Sequence, residues 1–165
     1  MDTREYKTVD KSDWGRGEWQ NEPDKVQWQD ETTGLPCLIV RGPSGALCGY
    51  VGVAESHPDF RKGYDGVDVD VHGGLTFADF CADSDDESKH ICHVPGPGEP
   101  DRVWWLGFDC SHSGDYSPKY NSKYGPSGYE TYAALPYVKH QVTKLAHQLA
   151  ERSTISAQPS GVSHE

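Results

Sequence analysis

No stretch of about 18 consecutive apolar residues occurs anywhere in the chain, so no membrane-crossing helix is expected. Residues 1–14, MDTREYKTVDKSDW, lack the apolar core of a signal peptide. No Cys-x-x-Cys pair is present, and the sulfur spacings match no zinc finger. GPSGALCG (42–49) and PGPGEP (95–100) are glycine-rich, but neither carries the Gly-Lys-Ser/Thr ending of a phosphate loop or opens a helix. There is no Gly-x-Ser-x-Gly nucleophile elbow, and no internal repeat. Basic residues are scarce, 15 Lys and Arg against 26 Asp and Glu, for a formal net charge of −11. That field repels a long polyanion such as duplex DNA. Small anions remain admissible, because a local cluster of amides and cations outweighs the mean field.

The 165 residues suit one domain with a real core. Apolar residues make up only 35% of the chain, so part of it is expected to pack poorly. The ends fit that description. Residues 1–24 are charged and nearly free of aliphatics, and 153–165 (STISAQPSGVSHE) are small and polar. Neither offers enough apolar surface to offset its own ordering entropy. The expected division is a poorly ordered segment over 1–24, a single domain over 25–152 and a flexible tail over 153–165. The five cysteines, at 37, 48, 81, 92 and 110, are odd in number. Without an export signal they read as reduced thiols in a cytosol. Cys37, Cys48 and Cys110 lie in or beside predicted strands, where cysteine is usually a small buried hydrophobe.

Turn signals cut the middle of the chain into short strands. KVQWQD (25–30), PCLIVR (36–41), ALCGYVGV (46–53), VDVDVH (67–72) and RVWWLGFD (102–109) are predicted, with HICHV (90–94) as a minor piece. GPSG (42–45) makes the second and third of these a hairpin. ADSDDESKH (82–90) reads as a solvated charge run. Residues 113–128 form a long tyrosine-rich loop without periodicity, of the kind that often binds or covers a ligand. In LPYVKHQVTKLAHQLAER (135–152), Leu135, Val138, Val142, Leu145 and Leu149 recur at spacings of three and four. They form one stripe of an amphipathic helix running from near Pro136 to near Arg152. The stripe is expected to pack on a sheet face, with a helix-mediated homo-oligomer as the alternative. His140 and His147 fall off it and are expected to be exposed. The fold class is α+β: an antiparallel or mixed sheet of about five strands with a C-terminal amphipathic helix.

Two segments carry the polar chemistry. On a strand, Asp68, Asp70 and His72 share one face, roughly 6.6 Å apart, and Val67, Val69 and Val71 share the other. Gly73 and Gly74 follow, where backbone amides can come close to an anion, and Thr76 adds a hydroxyl. In WWLGFDCSHSGD (104–115), Trp104, Leu106 and Phe108 suit the core. Trp105, Gly107 and Asp109 face the other way, with the glycine clearing space. Asp109, His112 and Asp115 then recur every three residues, a spacing that lets a carboxylate orient an imidazole. If the two segments are neighbours, His72 and His112 face one pocket. One would take a proton from an attacking hydroxyl or water and the other would give one to a leaving oxygen. Gly73 and Gly74 would hold phosphoryl oxygens, and Trp105, Tyr50 or a loop tyrosine would stack a base. The chemistry requires no cofactor. A divalent ion held by Asp68, Asp70, His72, Asp109 and His112, or zinc on Cys81, His90, Cys92, His93, Cys110 and His112, is the competing reading. Solvated aspartates and turn-forming aspartates are the plain alternative at each position.

DVHGGLTF, followed by ICHVPGPGEPDRVWWLGFDCSHSGDYSP, resembles a family of small uncharacterised proteins of tailed phages. In that family a YVGV-like strand, an HGGLT turn and a WWxGFDxxHxGD segment recur in this order. The likeness spans roughly residues 34–118 and the C-terminal helix. It implies a protein of the host cytoplasm, outside the virion. By analogy with small accessory phage proteins, it implies a counter-defence role against nucleotide second messengers. The expectation is therefore a phosphodiesterase-type hydrolase of a cyclic nucleotide, using His72, His112, Asp109 and Asp115. Asp68, Asp70, Gly73, Gly74, Thr76, Trp105 and Tyr50 would contact the ligand. A non-catalytic sponge for the same nucleotide is the first alternative, and an acidic protein that mimics nucleic acid is the second. The expected partner is a small nucleotide, with no long nucleic acid and no membrane.

Overall fold

The computed structural model describes residues 1–81, 89–124 and 128–157. Six strands form one antiparallel sheet: β1 (Arg4–Tyr6), β2 (Lys25–Gln29), β3 (Pro36–Arg41), β4 (Leu47–Val53), β5 (Phe77–Phe80) and β6 (Trp104–Asp109). Their spatial order is β1-β2-β3-β4-β6-β5. Two helices follow, α1 (Pro118–Tyr124) and α2 (Leu135–Ala157). The fold is α+β as expected, with six strands rather than five.

Alternation decides the two faces. Val26, Cys37, Ile39, Val51, Leu106 and Phe108 form the larger core with Val138, Val142, Leu145 and Leu149 of α2, all of them buried. The predicted stripe therefore lies on the sheet, and a contact between protomers through α2 would use its polar face. Gly49 is what lets the helix approach, since a methyl group there would sit 2.5 Å from Val142 Cγ2 and 2.6 Å from Phe108 Cζ. His140 and His147 are exposed. On the opposite face Leu38, Val40, Cys48, Tyr50, Val103 and Trp105 pack together beneath residues 89–103. The Gln27 carboxamide anchors that cover, accepting from Val94 N at 2.8 Å and donating to Val94 O at 3.2 Å.

The VDVDVH segment is not a strand of the sheet. Val67 and Val71 are buried against α2, while Asp68 and Asp70 are exposed, so the alternation holds. Its backbone, however, bonds to helix side chains rather than to a neighbouring strand. The pairing strand is β5, a few residues further on, whose Phe77 and Phe80 lie opposite Gly107 and Trp104. HICHV forms no strand either. Residues 113–128 hold α1, whose start is marked by Ser117-Pro118, with proline at a position needing no amide donor. Asn121 Oδ1 accepts from Ser117 N at 2.8 Å. Residues 82–88 of the charge run, 125–127 of the tyrosine-rich loop and 158–165 of the tail lie outside the described residues.

Residues 1–24 do not behave as a poorly ordered segment. They supply β1 and bury Trp14, Trp19, Lys11, Glu22 and Asp24. Two tryptophans provide the apolar burial that the aliphatic count missed: Trp19 packs against Tyr116 at 5.4 Å and Tyr132 at 5.1 Å between ring centres. Three of the segment's charges, Lys11, Glu22 and Asp24, are buried and paired rather than solvated, while the others are exposed. Arg41 Nε donates to Asp24 Oδ1 at 2.7 Å, Arg41 Nη2 reaches Glu22 Oε1 at 3.3 Å, and Lys11 Nζ lies 2.9 Å from Asp24 Oδ1. Glu22 Oε2 also accepts from Leu135 N at 2.8 Å, placing a carboxylate at the N-terminus of α2. Burial opposes the charge of Asp24, but bonds from Lys11, Arg41, Val9 and Thr8 hold its carboxyl below the usual range.

The cysteines divide in two. Cys37, Cys48 and Cys110 are free and buried, and burial pushes all three thiols up, Cys48 to about 11. Cys81 and Cys92 are joined by a disulfide, against the expectation of reduced thiols throughout. They stand eleven positions apart in the sequence, with Cα atoms 4.9 Å apart.

Candidate functional site

His72 stands at the end of the extended segment, held by Gln141 Oε1, which accepts from His72 N at 3.0 Å. Both ring nitrogens are engaged. Nε2 lies 2.9 Å from both oxygens of Asp115, and Nδ1 lies 2.7 Å from the hydroxyl of Tyr137 in the first turn of α2. A carboxylate only accepts, so Nε2 carries the proton. In the neutral ring, Nδ1 then accepts from the phenol. Asp115, His72 and Tyr137 thus form a continuous relay, and Tyr137 is its exposed end at 42%. Partial burial, reinforced by the Asp115 carboxylate, pushes the Tyr137 phenol up, so it keeps its proton at neutral pH.

The turn after β6 fixes the other wall. Asp115 Oδ2 accepts from His112 N at 3.0 Å and Asp115 N donates to His112 O at 2.9 Å, closing the turn on itself. Asp109 accepts from Ser111 N and from Thr76 Oγ1, each at 3.0 Å. The His112 ring lies over Gly73, where a methyl group would meet its Cδ2 at 2.4 Å. Gly73 also has φ +69°, so glycine is required there on two grounds. His112 Nε2 is buried. Asp109 Oδ1 lies 3.1 Å from it but off the line of a hydrogen bond, and the nitrogen has no other partner among the described residues. His112 Nδ1 makes no hydrogen bond among the described residues. The two imidazole centres are 6.4 Å apart.

Three adjoining cavities surround this turn. One of about 640 Å³ runs between His112, Asp115, Ser44, Ser111, Tyr120 and Tyr129. Another of about 500 Å³ shares Ser44, Ser111 and His112 and extends to Thr76, Asp109 and Tyr50. A third of about 360 Å³ holds His72, Asp115 and Tyr137. Among their described lining residues there is no Lys or Arg. α1 is docked on the hairpin turn, with Ser44 O accepting from Lys119 N at 3.0 Å, and this sets Tyr120 at the mouth.

Of the residues singled out from sequence, His72, His112, Asp109, Asp115, Thr76 and Gly73 come together. Five others do not take the places expected of them. Asp68 and Asp70 are exposed beside α2, Asp70 paired with Lys144 at 2.9 Å, and neither lines the cavities. This also disperses the oxygen/nitrogen metal set, because Asp68 and Asp70 lie away from Asp109 and His112. Trp105 is completely buried, out of reach of any base. Tyr50 borders the 500 Å³ cavity but is only 6% exposed, and its ring fills the space over Gly107, where a methyl group would sit 2.2 Å away, so the glycine clears room for a side chain rather than a ligand. Gly74 N donates to Val71 O at 2.9 Å and is not free for an anion. Tyr137, Ser44, Ser111, Tyr120 and Tyr129 reach the cavities without having been named individually. Tyr120 belonged to the expected tyrosine-rich loop. Nothing in the local pattern tied Tyr137 to a histidine 65 residues away.

No protein-family model, curated protein or solved structure matches this chain. The class defined by its own coordinates is an α+β protein with a six-stranded antiparallel sheet, one covering helix and a polar cleft at the end of β6.

Proposed function

We propose that the cleft is an acid–base site for a small nucleotide, and that its reaction is cleavage of a phosphodiester. The observation that carries the reading is the convergence of an Asp115–His72–Tyr137 relay and a second imidazole, His112, around one turn. The roles differ from a simple pair of free histidines. Both His72 nitrogens are taken, so proton delivery to a leaving oxygen falls to the Tyr137 hydroxyl. The relay would act from His72 protonated on both nitrogens, an imidazolium that Asp115 steadies, with Nδ1–H replacing the phenol's proton as Tyr137 gives it up. Neither His112 nitrogen is hydrogen-bonded among the described residues, but Nε2 is buried, so Nδ1 takes the proton of the attacking water or hydroxyl. Tyr129, 88% exposed, and Tyr120, 58% exposed, replace Trp105 as platforms for a base. The resemblance to small tailed-phage proteins supplies the setting: a counter-defence protein in the host cytoplasm acting on a cyclic nucleotide signal.

Sequestration without turnover is the second reading. It is favoured by the lack of Lys and Arg on the described cavity walls, which leaves little to stabilise the charge that develops during phosphoryl transfer. One incubation separates the two. The protein is mixed with a panel of cyclic mono- and dinucleotides and heat-denatured, and the supernatant is chromatographed. Conversion of a nucleotide supports cleavage, and intact release supports a sponge. A panel neither altered nor retained overturns both and leaves an acidic interaction surface as the reading to pursue.

A further inference from the structure

Away from the cleft, Cys81, Cys92 and His93 form a second chemical cluster. Their two sulfurs and a ring nitrogen lie within 4.8 Å of one another, the only such His/Cys/Asp/Glu group among the described residues. None of the three lines the cavities around His72 and His112.

The disulfide alone explains neither neighbour. His93 is 7% exposed, and its Nδ1 is buried with no hydrogen-bond partner among the described residues. A buried imidazole nitrogen left unbonded is destabilising, and the surroundings hold it in place regardless. Gln27 pins the next residue, Val94, through both its amide and its carbonyl, and the His93 ring packs edge-on against Trp105 at 5.2 Å. Trp105 in turn donates its indole N–H to Cys81 Sγ at 3.3 Å. A disulfide sulfur is a poor acceptor, whereas a thiolate is a good one. The indole is already aimed as the outer-shell donor that metal thiolates commonly have.

We propose that the reduced form of this cluster binds a thiophilic divalent cation such as Zn²⁺ through Cys81, Cys92 and His93. Water would take the fourth position, as it does in three-ligand zinc sites. The disulfide is then the metal-free, oxidised state of the same site. Opening it needs a reductant. A trialkylphosphine gives two electrons to the S–S bond and takes oxygen from water as its oxide, leaving two thiols. Metal binding releases both thiol protons. With Zn–S near 2.3 Å and tetrahedral angles, the sulfurs must separate to about 3.8 Å. Both cysteines are only half-buried, so the shift does not break the core. In a reducing compartment the dithiol would be the resident form.

The test uses the whole chain. It is reduced with a phosphine under anaerobic conditions, and Co²⁺ is titrated as the spectroscopic stand-in for Zn²⁺. One equivalent should give thiolate-to-cobalt charge-transfer bands and tetrahedral d–d bands, displaced by Zn²⁺. The unreduced protein should give neither. His93→Gln, which leaves the disulfide intact, should weaken the reduced site by about tenfold or more. Cys81→Ser should abolish the charge-transfer band. No band in the reduced wild type overturns the proposal. So does a band that survives Cys81→Ser, since the metal would then lie on Cys37, Cys48 or Cys110. An unchanged affinity in His93→Gln, or a reduced chain that loses its tryptophan environment and does not regain it with cobalt, counts against it equally.

Discussion

Gln148 stands in for a missing strand. Its Oε1 accepts from Asp70 N at 2.7 Å while its Nε2 donates to Asp70 O at 2.8 Å, as an adjacent β-strand would. Gln141 repeats half of this at His72 N. The segment bearing the relay histidine is thus held by two helix side chains rather than by a ladder. Gln141→Ala with Gln148→Ala should raise amide exchange at Asp70 and His72 while β3 and β4 stay protected. Unchanged exchange at His72 would show that the glutamines do not hold the segment.

The relay predicts an ordering of losses. His72→Ala should lower turnover of the responsive nucleotide by about 10²–10⁴, the range for removing a positioned proton carrier. Tyr137→Phe should fall in the same direction while leaving affinity within a few-fold, because only the hydroxyl is removed. Initial rates and equilibrium binding distinguish the cases. Equal turnover in Tyr137→Phe and wild type would remove the phenol from the mechanism.

Gly73→Ala tests the contact beneath His112. The left-handed backbone alone should cost about 1–2 kcal/mol, and the new methyl group collides with the imidazole at 2.4 Å. The expected result is a lower denaturation midpoint together with a shifted His112 resonance. Gly74→Ala shares the positive φ, at +80°, but meets nothing within 4 Å. It should lose stability without moving His112.

Acid should destabilise the fold through Asp24 and Asp59. Arg152 and Lys62 outweigh burial at Asp59, as Lys11 and Arg41 do at Asp24, and both carboxyls titrate below their ordinary value of 3.8. The native state therefore binds fewer protons than the unfolded chain at low pH. The stabilisation is complete above the unfolded value and is lost as pH falls through the lowered native ones. Denaturation midpoints should be insensitive to these groups near neutrality and drop below about pH 4. Asp24→Asn should flatten that acid limb. It should also cost about 3–5 kcal/mol at neutral pH, since it removes the closer carboxylate of the buried Arg41 and the carboxylate of the buried Lys11.

Gly49 and Val142 should show coupling. Gly49→Ala overpacks the core and should cost about 1–3 kcal/mol. Val142→Ala removes one of the two obstructing groups, so the double variant should be more stable than the sum of the singles. Phe108 still limits the rescue. Strict additivity in urea denaturation would contradict the packing at this crossing.

The helix stripe and the hairpin were legible because each is a local pattern: spacings of three and four at Leu135–Leu149, and a glycine-proline turn between β3 and β4. The inward turn of Val67, Val69 and Val71 was legible too. Their lack of a strand partner was not, because it depends on glutamines in α2 about 70 residues later. Trp105 illustrates the limit of face assignment. Alternation placed it opposite Leu106 correctly, but whether the opposite face is open or covered depends on the loop over 89–103. The N-terminal segment was misjudged for a related reason. Composition counts charges as solvated, whereas Asp24 and Glu22 meet a guanidinium delivered by β3. In the candidate site, the triplet spacing of Asp109, His112 and Asp115 foreshadowed the turn. The phenol that completes the relay left no trace in the primary sequence.

Arg41 also bears on how the molecule comes apart. Its guanidinium simultaneously holds Asp24, Glu22, the Gly45 carbonyl and the Tyr132 hydroxyl. The leading segment, the hairpin tip and the approach to the long helix therefore share one fastening. Fraying of one should loosen the others, and this half of the molecule is expected to open as a unit.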